Sequence, residues 1–135
     1  MIAPEDALAK VSLFSMLPKK DLVKLGRMAS DRRFPADAVL TAEDEGAGTF
    51  GVMVEGRAAV TVHGQSTRTL GPGDYFGEMA LIDKSVRSAT VTAETDVRCL
   101  LIEAWVFRSF ARNHPGTTWA LLEALVQRVR EAEAR

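Results

Sequence analysis

Residues 76 to 91 read FGEMALIDKSVRSATV, a stretch in which an acid, Glu78, follows Gly77 directly and an arginine, Arg87, stands nine residues further on. The arginine has the chemistry of a phosphate or carboxylate site, because its guanidinium presents a planar fork of charge-assisted donors. Glu78 would repel such an anion. General acid and base catalysis would instead ask for a second titratable partner, and Asp83 and Lys84 are the other charged residues in the stretch. Taken alone, the pattern also fits an acid at a helix N-terminus and an arginine on a solvated surface.

Other reactive residue types are sparse. The two histidines, His63 in VTVHGQ and His114 before Pro115, have no metal-ligand partner at useful spacing, so no metal site is expected. No nucleophile elbow or nucleotide P-loop occurs, so no catalytic residue is assigned and the chain is not expected to be an enzyme. Cys99, the single cysteine, lies in the apolar run VRCLLI and reads as a small buried hydrophobe. A formal net charge of −1 leaves no basic surplus to neutralise a run of phosphates, so no direct nucleic-acid partner is expected. The N-terminus MIAPEDALAK carries acids early, and no apolar stretch approaches membrane-spanning length. A cytoplasmic protein without a membrane partner is the expectation.

The elements that must position these residues are legible in the periodicities. A chain of 135 residues with 47% hydrophobic and 26% charged residues is an ordinary globular balance, so one domain over residues 1–135 is expected. In PEDALAKVSLF, residues 4–14, Ala7, Leu8, Val11 and Phe14 fall at helical spacing behind a proline and two acids, which predicts a short helix. LPKKDLVKLGRMA predicts a second, with Leu22, Leu25 and Met28 or Ala29 as its apolar stripe. From Phe34 to Ile102 the pattern changes to short β-prone runs punctuated by glycine, which predicts a β-sandwich or barrel rather than a parallel α/β sheet. Gly56, Gly64, Gly71 and Gly73 read as turn positions, with GPGD the strongest signal, and His63 falls at a hairpin turn. EAWVFRSFAR, residues 103–112, predicts a short helix, and Pro115 opens a longer one. Its apolar residues Trp119, Leu121, Leu122, Leu125, Val126 and Val129 cover more than one narrow stripe, so this helix has two surfaces to bury. Trp105 and Trp119 read as helix-packing residues.

The stretch FGEMALIDKSVRSATVTA resembles the phosphate-binding cassette of the cyclic nucleotide-binding domain family, joining an FGE-x-AL turn and a short spacer to R-S-A-T-V-x-A. V-x-V-x-G at residues 52–56 and LGPGDYFGE before the cassette are also family-like, as are VSLFSMLPKKDLVKL and RRFPADAVL at the front and the closing helices. The resemblance covers nearly the whole chain. It implies an α+β fold: N-terminal helices in residues 1–33, an antiparallel β-roll of the double-stranded β-helix or jelly-roll type in residues 34–102, and C-terminal helices in residues 103–135. The cassette occupies residues 76–91 of the roll, which should have about eight strands.

On this resemblance the two opposed charges have separate tasks, because a 3′,5′-cyclic nucleotide presents an anionic cyclic phosphate beside a neutral 2′-hydroxyl. Gly77 would permit close backbone approach, the N–H groups of Met79 and Ala80 would face the phosphate from the start of a short helix, and Arg87 would fork onto its oxygens. Glu78 would accept the 2′-hydroxyl proton, and Ser88 would reach the phosphate or the base. The last helix would approach the purine, with Arg128 and Ala132 as the nearest residues. The implied function is a cyclic nucleotide sensor that signals through movement of its C-terminal helix, without a prosthetic group. Cyclic AMP is the expected ligand and cyclic GMP a possible one, since a hydroxyl at Ser88 can serve the guanine amino group. A second copy or an output protein is the expected partner of the last helix. Two further readings share the fold: a non-binding domain acting as a dimerisation or interaction module, and the sensor fragment of a larger transcription regulator, although no helix-turn-helix follows the last helix here. The chain departs from the family pattern at Asp37 and Glu43, where glycines are common. Aspartate tolerates a left-handed backbone better than glutamate does.

Overall fold

The computed structural model describes residues 3–11, 14–42, 48–77 and 89–134, and for Arg128 the backbone alone. Two helices come first, α1 (Pro4–Ala9) and α2 (Lys19–Met28). Eight strands follow: β1 (Ser30–Phe34), β2 (Val39–Thr41), β3 (Thr49–Glu55), β4 (Ala58–Val62), β5 (Gln65–Leu70), β6 (Tyr75–Phe76), β7 (Thr90–Ala93) and β8 (Val97–Glu103). The last described elements are α3 (Ala104–Asn113) and α4 (Pro115–Glu133). The strands form two antiparallel sheets, ordered β1-β8-β3-β6 and β2-β7-β4-β5. Apart from the β4–β5 hairpin, successive strands alternate between the sheets, which is the winding of a jelly-roll. The α+β, antiparallel β-roll with flanking helices is therefore the fold of this chain.

Turn chemistry fixes the winding locally. Val62 pairs with Gln65 across a two-residue turn in which His63 (φ 52°) and Gly64 (φ 78°) are both left-handed, as a type I′ hairpin requires. In GPGD, the Gly71 amide donates to Asp74 Oδ2 at 2.8 Å and the Asp74 amide donates back to the Gly71 carbonyl at 3.0 Å. Asp37 takes φ 73°, so the residue standing in a glycine position adopts the glycine conformation. Glu43 lies outside the described residues.

The sheet β1-β8-β3-β6 is covered on both faces, and strand alternation explains how. On β8, Val97 and Cys99 point into the roll, where they join Met53, Val60, Leu70, Phe76 and Val91. Leu100 and Ile102 point outwards, and with Phe50 and Val52 of β3 they meet a helical layer of Leu8, Phe14, Leu25, Phe107 and Phe110. The Phe14 ring sits edge-on to Phe50 at 5.6 Å and lies 6.2 Å from Phe107, tying the N-terminal and C-terminal helices to one strand. Each side chain fully buried this way contributes about 1.5–3 kcal/mol. Cys99 is fully buried, and burial pushes its thiol up to about 11, which leaves it protonated and unreactive at neutral pH.

Two elements and two tryptophans differ from the expectations. α1 ends at Ala9, and Val11 and Phe14 reach the core through successive tight turns, with amides bonded to the Leu8 and Val11 carbonyls at 3.1 and 2.9 Å. β1 begins at Ser30, ahead of Phe34, because an edge strand with exposed Asp31, Arg32 and Arg33 shows no apolar alternation. Trp105 and Trp119 are each 65% exposed rather than packed. On α2, Leu22 and Leu25 are buried and Met28 turns outwards, while Ala29, just past its end, packs against the helical core.

Candidate functional site

Glu78, Met79, Ala80, Arg87 and Ser88 lie outside the described residues, so the site is read from the frame that carries them. The chain enters from β6 and leaves into β7. β6 is an edge strand of one sheet, and β7 lies inside the other, between β2 and β4. Residues 78–88 thus link the two sheets. Both ends are anchored by inward side chains: Phe76, 4% exposed, and Val91, 1% exposed, share the core of the roll. Ala89 packs against that core as the chain returns.

The entry is built with unusual closeness. Gly51 and Phe76 are register partners on β3 and β6, and the Phe76 ring lies over the Gly51 backbone where any β-carbon would collide with it. Tyr75, on the opposite face, sets its ring 5.7 Å from Phe50. A strand of two residues is thereby held from both faces. Gly77 follows at φ 84°, a backbone angle that side chains other than those of glycine, asparagine and aspartate seldom adopt. The sequence singled out Gly77 but gave no signal for Gly51, whose role depends on a partner twenty-five positions away in register.

The C-terminal helix has one packed and one bare surface. Ala120 and Leu121 are buried, and Ala124 and Leu125 pack against the helical core. Trp119, Leu122, Val126 and Val129 form the bare seam, with exposures from 49 to 65%. Between α3 and α4 runs an open groove of about 500 Å³, floored by Phe107, Ala111, Leu121, Leu122 and Leu125. None of its lining residues belongs to β6 or β7. Ala132 is exposed near the end of α4, and the Arg128 side chain lies outside the description.

Among the described residues, no group of three or more histidine, cysteine, aspartate or glutamate side chains could hold a metal ion. No described helix is long and apolar enough to cross a membrane. The charged feature that the sequence did not reveal is Arg98, buried on β8 and forked onto Asp31 of β1.

An antiparallel roll of two four-stranded sheets, with helices packed on one of them, defines the architectural class of this domain. Comparison with known proteins names it. The family model described as the cyclic nucleotide-binding domain matches residues 31–114, and this chain belongs to that family, whose domain is a regulatory one. The chain is 34% identical over 120 residues to a cyclic nucleotide-gated potassium channel of Rhizobium etli, an alignment that covers 89% of this chain and 34% of the channel. The chain therefore spans about a third of that relative's length. Among solved structures it is similar to the N-terminal domain of a transcriptional regulator from Streptomyces coelicolor A3(2), with a TM-score of 0.85, 25% identity and 94% of each chain covered. It also shares its fold with the cAMP-bound chain PfPKA-R, with a TM-score of 0.74, 23% identity, and 88% of this chain and 45% of that one covered.

Proposed function

We propose that this domain is a sensor of cyclic AMP in the cytoplasm and that it signals by moving α4. The observation that carries this reading is the meeting of motif and frame: the cassette residues follow a glycine at φ 84° and return into β7 beside the core. Gly77 lets the backbone come close to the ligand. The amides of Met79 and Ala80 and the guanidinium of Arg87 hold the phosphate, Glu78 takes the 2′-hydroxyl, and Ser88 reaches the phosphate or the base. Binding and not catalysis is the task, since no step of this scheme needs a bond broken. Cyclic GMP is the competing ligand, because the Ser88 hydroxyl suits either purine.

The output is α4. Its packed side follows the core, and its later turns, with Arg128 and Ala132, cover the purine. The bare seam Trp119, Leu122, Val126, Val129 has the alternating three- and four-residue spacing of a helix that meets another helix. That surface is offered to a second copy of the chain or to an output protein. The same seam favours one second reading, in which the domain is an interaction module whose cassette holds no ligand.

Arg87→Ala tests the scheme. It leaves a desolvated phosphate without its side-chain cation, a loss of roughly 2–5 kcal/mol, or about 30-fold to several-thousand-fold in affinity. Glu78→Gln costs less, because an amide oxygen still accepts from the hydroxyl. A folded Arg87→Ala protein that binds cyclic AMP as the parent does would remove the phosphate from this position.

A further inference from the structure

Arg98 sits in a cross-strand row at one end of the sheet β1-β8-β3-β6. The β1–β8 register sets Arg33 opposite it on one side, and the β3–β8 register sets Glu55 opposite it on the other. Half of its guanidinium is committed, with Nε and Nη2 forked onto Asp31. The other half is not: Nη1 is buried and has no hydrogen-bond partner among the described residues. An unpaired donor on a buried charged group is costly, and the acceptor that answers it best carries negative charge.

Glu55 comes near and falls short. Its Oε1 is 3.8 Å from Arg98 Nη1 and its Oε2 is 3.7 Å from Arg33 Nη1. One oxygen thus faces each guanidinium, the arrangement of a carboxylate that bridges two arginines, but charge-assisted bonds close only at about 2.7–2.9 Å. The side chains of Glu55 and Arg33 are more than half exposed, so Glu55 is free to swing into solvent at little cost. The same three residues line an open cleft of about 300 Å³, to which Phe34, Pro35 and Val97 give an apolar wall. Asp96 lines it too, with its Oδ1 already accepting from the Ala36 amide at 3.1 Å.

The cleft is built before any ligand arrives. The Asp37 amide donates to the Ala93 carbonyl at 2.7 Å and the Ala93 amide to the Ala38 carbonyl at 2.8 Å, which clasps the turn after Pro35 to the end of β7. Gly56 lies so near the Asp96 carbonyl that a β-carbon would stand 2.2 Å from it. This is the end of the roll opposite the cassette. β3 meets β6 at Gly51 and reaches the cleft only at Glu55, while β7 leaves the cassette at Thr90 and ends on the cleft side at Ala93.

We propose that this cleft is a second ligand site, which takes a small organic acid whose carboxylate replaces that of Glu55 between Arg98 Nη1 and Arg33 and whose apolar body lies against Phe34, Pro35 and Val97. An untethered carboxylate closes both of the bonds that Glu55 leaves long. Asp31, Glu55 and Asp96 around the two arginines favour a single negative charge over a doubly charged phosphate. Glu55 is the built-in competitor, and its departure uncovers Nη1. None of this depends on the cyclic nucleotide reading.

Benzoate is the probe, and benzamide, nearly equal in shape and uncharged, is its control. Titrated into the full chain without nucleotide and followed by proton–nitrogen correlation spectra, benzoate should shift the amides of Arg33, Glu55, Val97 and Arg98 saturably, and benzamide should bind about tenfold more weakly or less. Glu55→Ala removes the competing carboxylate and should tighten benzoate about threefold to tenfold, whereas Arg33→Ala should weaken it about tenfold. The proposal is overturned if benzoate at tens of millimolar moves none of these amides, if benzamide binds equally, or if folded Glu55→Ala holds benzoate no more tightly than the parent does. Should a variant misfold, the contrast between benzoate and benzamide on the parent chain still decides.

Discussion

Arg98 brings a full charge into the layer that Leu100 and Ile102 make apolar. At 2% exposure it forks onto Asp31, with Nε 3.0 Å from Oδ1 and Nη2 2.7 Å from Oδ2. Its Nη1 is buried without a hydrogen bond, and the carboxylate of Glu55 stands off at 3.8 Å. The hydrogen bond from Arg98 holds the Asp31 carboxyl below its ordinary 3.8, and in return Asp31 raises Arg98. A depressed folded value stabilises above the ordinary one and loses that stabilisation as pH falls through the folded value. Water reaches Asp31, whose side chain is 42% exposed, so the pair is worth less than a fully buried one. Asp31→Ala should therefore lose about 1–3 kcal/mol at neutral pH, and the gap to the parent should close as pH is taken well below 3.8. Urea unfolding at pH 7 and pH 3 measures both; a gap of equal size at the two pH values contradicts the assignment. Nothing in SDRRF or VRCLLI announces this pair, because the partners stand 67 positions apart and only the β1–β8 register brings them together.

At the scale of elements, β6 is the least probable strand and the most consequential. Two residues cannot hold a register by hydrogen bonds alone, so Phe76 over Gly51 and Tyr75 against Phe50 must supply the rest. Gly51→Ala should lower stability by about 1–3 kcal/mol through overpacking, read as a reduced denaturant midpoint. An unchanged midpoint would mean that the Phe76 ring does not dock there. Turns of this chain were legible because their chemistry is local: His63–Gly64 needs two left-handed residues, and GPGD carries its own acceptor in Asp74. The six apolar residues of α4 foretold two surfaces, yet not which would be bare, since that depends on where α3 lies. The end of α1 at Ala9 was hidden for a different reason. Val11 and Phe14 satisfy helical spacing equally well from tight turns.

For the whole molecule, the family and the roll were legible from the motif FGEMALIDKSVRSATVTA and the glycine-punctuated β-prone runs, while Glu78, Met79, Ala80, Arg87 and Ser88 fall outside the described residues. The described residues form cores on both sides of the sheet β1-β8-β3-β6, which joins the roll to the helical layer through packed side chains. If α4 is both lid and output, deleting residues 127–135 should raise koff for a fluorescent cyclic AMP analogue and leave kon nearly unchanged, because the base loses its cover while the cassette remains. Stopped-flow dissociation checks this, and an unchanged koff in the folded truncated protein would assign the lid elsewhere. The central claim is ligand binding itself. Calorimetric titration of nucleotide-free protein with cyclic AMP and then cyclic GMP decides it: a cyclic AMP sensor gives saturable heat with one site per chain and binds cyclic AMP more tightly, whereas no saturable heat from either nucleotide in a folded protein would contradict ligand binding.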